Sequence, residues 1–192
     1  MAVTNDAALA ERLRLLRSHG VTRDPKRMSG VAEGKWYYEQ IELGFNYRMT
    51  EIQAALGASQ LARIEQFIAR RSEFANLYGH GLSALPVSCP VIQPGVRSSW
   101  HLYVIQLSAE AGAPSRAQVF SRMWEAGIEV NVHYIPVHLQ PYYRGLGFTE
   151  GQYPVAEKYY ARALTLPLYY KLSQRDLEQV CAALEKALIS AG

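Results

Sequence analysis

The sequence predicts a mixed α/β protein in which one long helix leads into a small C-terminal α/β domain. After residue 85 the chain alternates between strand-like and helix-like segments, which is typical of helices packed on a short sheet. Ahead of that half, apolar residues keep helical spacing from Thr50 to Leu82, a length that suits a bridge between two domains. The prediction divides the chain into the remnant of another domain over 1–50, the bridging helix over 50–84 and the small domain over 85–192.

A short strand and a helix are predicted at the start of the chain. Residues 1–4 are predicted to end a strand, and a strand so close to the first residue leads us to expect a piece of a longer protein. Asn5 or Asp6 can cap the helix, and Gly20 is placed to end it. The apolar positions that keep helical spacing are Leu9, Leu13 and Leu16.

A long connection and the start of the bridging helix follow. Connections as long as residues 21–43 are usually functional or disordered, and the aromatic trio at 36–38 argues against disorder. Thr50 is the predicted N-cap of the long helix, with Gln53 completing a capping box. Gly57 indicates a bend or a close helix contact.

The second half supplies the alternating elements. Prolines mark residues 85–94 as a linker, and the run from 100 to 107 has the alternation of a strand. The later segments are a helix from a Ser115–Gln118 capping box, a strand over 128–132, a helix from Pro154, a strand over 164–168 and a last helix capped by Ser173.

Composition narrows the function classes. Lys and Arg number 20 against 17 Asp and Glu, and a net charge of +3 without a basic motif argues against nucleic acid as a partner. The two cysteines, Cys89 and Cys181, form no CxxC pair and indicate neither a disulfide framework nor a metal site. We expect no membrane span and no signal peptide, and therefore a cytoplasmic protein.

The segment over residues 44–57 is the first that carries chemistry. It enters a helix N-terminus, whose free amides and positive dipole favour an anion. Asn46 offers an amide donor and Arg48 a forked cation, and both suit a phosphate. The alternative is that Asn46 holds a turn and Arg48 pairs with a carboxylate such as Glu51.

A second segment, 131–143, leaves the end of a predicted strand, where α/β folds place ligand-binding loops. His133 and His138 allow three interpretations: metal ligands, hydrogen-bonded structural histidines, or part of a sugar or nucleotide site. Metal is disfavoured because no carboxylate or cysteine stands nearby. His19, at a helix end in the segment 17–20, is explained by the helix dipole.

Five segments of the chain form a recognisable set: VTND at 3–6, RSHG at 17–20, GFNYRMTEIQAALGASQL at 44–61, WHLYVIQL at 100–107 and NVHYIPVHLQPYY at 131–143. Together they resemble the DegT/DnrJ/EryC1/StrS family of sugar aminotransferases. The segment at 44–61 resembles the family's signature, and the others fall in the family's order and spacing. Within the family the chain is most similar to the enzymes that make the 4-amino precursor of pseudaminic acid. Those enzymes take a UDP-linked 4-keto-6-deoxy-N-acetyl hexosamine as substrate and glutamate as amino donor.

The resemblance implies a fold, a cofactor and a set of site residues. Family members are fold-type I pyridoxal-phosphate enzymes that act as dimers, so the chain would hold the end of the large domain, the bridging helix and the small domain. Asn46 matches an asparagine that reaches the cofactor phosphate of the other subunit, and Arg48 beside it is a further candidate. The residues that match the lining of the nucleotide-sugar site are Asn131, Val132, His133 and Tyr134.

The family's Schiff-base lysine lies upstream of the segment that matches VTND at 3–6. The aspartate, aromatic and serine residues that hold the cofactor also lie upstream. We therefore expect no catalytic residue in this chain, no pyridoxal phosphate bound by it alone and no transamination by it alone. The lysines present stand in other sequence contexts: Lys26, Lys35, Lys158, Lys171 and Lys186.

Two main functions remain at the level of sequence. The chain is either the incomplete half of an aminotransferase or a non-catalytic nucleotide-sugar-binding or assembly module that pairs with a separate N-terminal half. A nucleic-acid binder that uses the basic first helix is a third, disfavoured by the charge. Without a large domain, the apolar faces of the first helix and of 36–38 would be exposed, so we expect self-association into a homo-oligomer.

Overall fold

A computed structural model of the chain describes residues 2–32, 34–108, 110 and 113–189. Contacts between residues divide the chain into two compact units, Met1–Ala62 and Arg63–Gly192. The first unit holds two helices and a two-stranded antiparallel ribbon. Its elements are α1 (Ala7–Leu16), β1 (Val21–Thr22), β2 (Glu39–Gln40) and α2 (Glu51–Leu61).

The start of α1 confirms one prediction and corrects another. Asp6 is the N-cap, and its Oδ1 accepts hydrogen bonds from the backbone N–H groups of Ala8 and Leu9 at 2.9 and 3.1 Å. The strand predicted over 1–4 is wrong for residues 2–4, which have no regular structure, while Met1 lies outside the described residues. A strand needs a hydrogen-bonded neighbour, and the described part of the chain pairs none with residues 2–4.

The long helix predicted over 50–84 is interrupted. Thr50 caps α2 through the predicted capping box with Gln53, but α2 ends at Leu61 and the next helix, α3, runs from Ile64 to Gly81. Arg63 between them has φ −111° and ψ 7°. Apolar spacing continues across this break, so periodicity does not register the change of backbone angle at one residue.

The second unit is built on a three-stranded antiparallel sheet in the order β3-β4-β5. Its strands are β3 (Val87–Ser88), β4 (Tyr103–Leu107) and β5 (Ala163–Leu166). Its further helices are α4 (Arg116–Glu125), a 3₁₀ turn (Val137–Leu139), α5 (Pro141–Gly145), α6 (Pro154–Arg162) and α7 (Gln174–Leu188). The short β3 and α5 lie in stretches where the sequence predicts no regular element.

The strand predicted over 128–132 is absent. Only Asn131 pairs with the sheet, through an isolated antiparallel bridge to Thr165. Gly127 has φ +77°, and the N–H of Ile128 donates to the carbonyl of Met123 at 2.9 Å. These residues therefore close the C-terminus of α4, and Val130 is buried in the core without pairing in a strand.

The core of this unit lies between the sheet and helices α3, α4 and α7. The rings of Tyr78 and Tyr103 stack at a centroid distance of 4.9 Å, and the Tyr78 hydroxyl donates to the carbonyl of Pro167 at 2.8 Å. Burial raises the pKa of Tyr78 well above its ordinary value. α7 contributes a buried stripe of Leu177, Val180, Leu184 and Ala187.

Candidate functional site

Asn46 lies in a loop that α1 holds in place ahead of α2. Ser18 and Asn46 form an antiparallel bridge, flanked by hydrogen bonds from His19 N–H to the Phe45 carbonyl at 2.9 Å and from Tyr47 N–H to the Arg17 carbonyl at 3.0 Å. The segments RSHG and GFNY, far apart in sequence, are therefore joined through their backbones.

Gly20 makes this arrangement possible. Its φ is +70°, and a Cβ added there would lie 1.8 Å from the carbonyl oxygen of Glu42. Only glycine tolerates both the left-handed backbone and this close approach. The glycine predicted to end α1 thus also sets the position of the loop that carries Asn46.

The side chains of Asn46 and Arg48 are available for a ligand. Both residues are exposed, and neither side chain has a hydrogen bond or an ion pair with any residue that the structure describes. The proposed pairing of Arg48 with Glu51 is therefore not formed. A shallow groove of about 770 Å³ runs beside them, lined by Tyr47, Arg48, Met49, Gln53, Leu56 and Gly57.

Gly57 forms part of this groove and makes no close helix contact. A Cβ added at Gly57 would meet no heavy atom within 4 Å, and α2 continues through it to Leu61. The bend predicted at Gly57 is therefore absent within α2, and the helical backbone is interrupted at Arg63.

The segment 131–134 is anchored to β5. His133 Nδ1 lies 2.8 Å from the hydroxyl of Thr165, which is buried. Asn131 accepts a hydrogen bond from the N–H of Val132 through Oδ1 at 2.7 Å, so its amide NH₂ remains outward as a donor. The Tyr134 ring meets the His133 ring edge to face at 4.5 Å and is otherwise 71% exposed.

His138 has a structural role, and its side chain binds Glu157 and not the segment that holds His133. Its Nε2 lies 2.7 Å from Oε1 of Glu157, and the His138 side chain is buried. Glu157 also accepts from the N–H groups of Gly151 and Tyr153 at 2.9 and 3.3 Å. The hydrogen bond from His138, followed by these backbone bonds, lowers the pKa of Glu157.

Among the described residues no three His, Cys, Asp or Glu side chains are grouped as metal ligands. No helix in the same residues is long and apolar enough to cross a membrane.

Sequence reasoning missed an aromatic cavity beside Tyr134. The cavity has a volume of about 670 Å³, and its walls include Tyr134, Pro136, Gln152, Tyr153, Val155 and Tyr159. We call it the aromatic pocket. Its two walls come from the 133–137 segment and from α6 with the turn before it, which lie far apart in sequence. Only the clustering of tyrosines and prolines signals it in the sequence.

Comparison with known structures shows that the fold is that of the C-terminal part of fold-type I pyridoxal-phosphate aminotransferases. A Streptococcus pneumoniae structure described as putative sugar aminotransferase Spr1654 in its PLP form matches with TM-score 0.82 and 28% identity, over 97% of this chain and 45% of that one. Helicobacter pylori PseC, described as an aminotransferase involved in pseudoaminic acid biosynthesis, matches with TM-score 0.83 and 27% identity, over 97% and 47%.

The sequence model of the DegT/DnrJ/EryC1/StrS aminotransferase family matches residues 1–185, and the chain belongs to this family. Spore coat polysaccharide biosynthesis protein SpsC of Bacillus subtilis is 36% identical over 187 residues, 95% of this chain and 48% of that protein. The chain therefore spans about half the length of the relatives it matches. The predicted fold class and family are confirmed, and pyridoxal phosphate is the cofactor of the parent family.

Two sets of groups in this chain bear on that cofactor, the polar side chains near its phosphate-binding candidate Asn46 and the lysines. The free amide of Asn46 and the guanidinium of Arg48 are suited to the phosphate. A lysine that binds a cofactor covalently needs a shielded position that lowers its pKa. The five lysines are all exposed, and none lines the cavities described above: Lys26, Lys35, Lys158, Lys171 and Lys186.

Proposed function

We propose that the chain is the C-terminal part of a pyridoxal-phosphate-dependent nucleotide-sugar aminotransferase and lacks the Schiff-base lysine. The observation that carries this proposal is the side chain of Asn46, which lies in the family's signature segment at the entrance to α2 and has no partner in the described part of the chain. When bound, the cofactor supplies the electron sink for amino transfer. This chain would supply a phosphate contact and part of the substrate site, and no catalytic residue.

In this proposal Asn46 donates its amide N–H to the cofactor phosphate of the other subunit, and Arg48 adds positive charge. Charge-assisted bonds of this kind are roughly twice as strong as neutral ones. Because residues 17–19 fix the loop through backbone bonds, the backbone of Asn46 is held in place before the phosphate binds, and only its side chain has to be ordered.

The segment 131–134 is proposed to bind the substrate, a UDP-linked 4-keto-6-deoxy sugar that receives its amino group from glutamate. Thr165 holds the His133 ring at Nδ1, so Nε2 is left to meet a polar group of the substrate. Asn131 presents its amide, and Tyr134 its hydroxyl. The likeness to Helicobacter pylori PseC supports a substrate of the pseudaminic acid type.

A second candidate function is a non-catalytic module that pairs with a separate N-terminal half. The specific observation in its favour is α2, which buries none of its residues. The loop before it and α2 itself display a run of exposed apolar side chains: Leu43, Phe45, Tyr47, Met49, Ile52, Leu56 and Leu61. Such a surface is typical of a protein interface, and the proposed homo-oligomer would use it as well.

Pyridoxal phosphate trapping with borohydride, followed by mass spectrometry, tests the proposal. We expect the chain alone to show no adduct at a single specific lysine and no absorbance band near about 420 nm. Mixed with the N-terminal half of a family member, it should transfer an amino group from glutamate to the UDP-linked 4-keto sugar. The same mixture with Asn46→Ala should need more cofactor for half-maximal activity.

Each outcome separates the two functions. A specific adduct on the isolated chain would show that one of its own lysines holds the cofactor and would overturn the proposal. A stable complex without transamination would favour the non-catalytic module. Val91→Ala, at an exposed position in the second unit, is the matched control and should leave activity unchanged.

A further inference from the structure

The aromatic pocket has the features of a small-molecule site. Its volume of about 670 Å³ falls in the range of ligand cavities, which are lined mainly by apolar and aromatic groups with a few polar ones. A smaller cavity of about 350 Å³ adjoins it and shares Pro136, Tyr153 and Ala156 with it. The rings of Tyr134, Tyr153 and Tyr159 supply flat apolar surface.

The His138–Glu157 pair connects the two walls of the aromatic pocket. Glu157 on α6 binds His138 from one wall and the N–H groups of Gly151 and Tyr153 from the other. The His138 ring also packs against the Tyr153 ring at 4.7 Å. Both walls are therefore tied to one carboxylate, and a pre-formed pocket loses less conformational entropy on binding.

Polar groups without partners stand at its rim. The hydroxyls of Tyr134, Tyr153 and Tyr159 make no hydrogen bond with any described residue, and Gln152 uses only its Oε1, as acceptor from the N–H of Thr149 at 3.1 Å. The Gln152 NH₂ and the three hydroxyls are thus free to pair with a ligand. Partial burial raises the pKa of Tyr159, so its hydroxyl keeps its proton at neutral pH.

We propose that the aromatic pocket binds the uracil base of the nucleotide part of the substrate. A planar ring lies against the tyrosine faces, and its carbonyl edge accepts hydrogen bonds from the rim. A sugar ring, which carries hydroxyls all around, would lose hydrogen bonds against walls this rich in carbon. The choice of uracil rests on the proposed UDP-linked substrate, whereas the preference for a flat aromatic ring rests on the pocket alone.

NMR of the full chain with ¹³C-labelled tyrosine rings, titrated with uridine and in parallel with ribose, tests this inference. Uridine should shift the ring signals of Tyr134, Tyr153 and Tyr159, and ribose should not. Tyr159→Leu keeps apolar volume but removes the ring, and should weaken uridine binding about tenfold, as expected for one stacked base. Tyr142→Leu is the control, because Tyr142 is exposed and lines neither cavity.

Three results would overturn the inference: no shift with uridine at millimolar concentrations, equal shifts with ribose, or shifts spread equally over Tyr142 and the pocket tyrosines. A Tyr159→Leu chain that binds uridine as the unmodified chain does would also overturn it. Amino transfer by the mixed halves is measured separately. If the mixed halves are active but uridine causes no shift, the inference about the pocket fails and the proposed function stands. If uridine causes the shifts but the mixed halves are inactive, the proposed function fails and the inference about the pocket stands.

Discussion

Single carboxylates organise loops in both units, and Glu39 is the clearer case. It accepts hydrogen bonds from the N–H and hydroxyl of Ser29, the N–H of Gly30 and the hydroxyl of Tyr37, at 2.7 to 3.1 Å. These bonds, led by the one from the Ser29 backbone, lower the pKa of Glu39 from 4.5 to about 2. Glu39 thereby gives order to a stretch that the sequence describes only as a long connection.

The direction of the Glu39 pKa shift determines how the stabilisation by this contact depends on pH. Because the pKa is lower in the folded chain, the stabilisation is fully present above about 4.5 and is lost as the pH falls towards 2. NMR should find the Ser29 and Gly30 amide shifts constant from neutral pH down to roughly pH 3.5. In Glu39→Gln the same amides should exchange faster with solvent. A midpoint near the ordinary value of 4.5 would contradict the predicted contact.

Helix caps show which elements depend on tertiary packing. Thr50, Ser115 and Ser173 each form a capping box. The sequence predicts the first two boxes from residues three positions apart, and predicts Ser173 as an N-cap. α4 and α7 bury apolar residues in the core, whereas α2 buries none. Loss of the capping box should therefore lower the free energy of unfolding when the box belongs to α4 or α7. In α2 the same loss should change only the local helicity.

Ser173→Ala should lower the free energy of unfolding of the second unit by about 1 kcal/mol, because the first turn of α7 loses its side-chain acceptor. Urea unfolding followed by circular dichroism and fluorescence measures this change. Thr50→Ala is the matched comparison: it should speed amide exchange within α2 and leave the fluorescence midpoint unchanged. Equal shifts of that midpoint in both variants would show that α2 is coupled to the core.

Leu184→Ala tests the core face of α7. Leu184 is fully buried between the sheet and the helices, and its truncation leaves a cavity that should cost about 2–5 kcal/mol. Thermal and urea unfolding report the loss. Ile189→Ala, at a position that is 65% exposed, should change the stability by less than about 0.5 kcal/mol. Similar losses in both variants would contradict the assignment of this face.

At the scale of the whole molecule, the first unit exposes apolar surface that a folded protein normally covers. Leu9, Leu13, Trp36 and Tyr38 are exposed, as expected from the sequence. Leu16 and Tyr37, expected to be exposed with them, are half-buried, and Leu15 is the buried residue of α1. α2 adds its own exposed apolar side chains. The chain spans about half the length of the relatives it matches, and we propose that the remainder of such a chain covers this surface.

We therefore expect the chain to self-associate at micromolar concentrations, and sedimentation measures it. Ile52→Glu together with Leu56→Glu should shift the equilibrium towards monomer, because both side chains are exposed on α2 and charge disfavours their burial. Val91→Glu, equally exposed but in the second unit, is the control. A monodisperse monomer of the unmodified chain would contradict this expectation.

Much of the candidate site could be predicted from sequence, because its residues act through short segments. Asn46 and Arg48 follow from a loop that enters a capped helix, and neither side chain has a partner among the residues that the structure describes. The interpretation of His138 needed the structure, because its partner Glu157 stands nineteen positions away and no periodicity joins them. The aromatic pocket was missed for the same reason.

The sequence by itself determined most of the helical segments, where most of those helices begin, and the family. Those features depend on side-chain spacing and on capping within a few residues, which are local properties of the chain. Only the tertiary structure decided the break at Arg63, the absence of the strand over 128–132, the antiparallel order of the sheet and the joining of 17–20 to 45–47. The sheet order and the joining of the two loops depend on hydrogen bonds between residues distant in sequence, for which local spacing carries no signal. The break and the missing strand are changes of backbone angle at Arg63 and Gly127, which apolar spacing does not reveal.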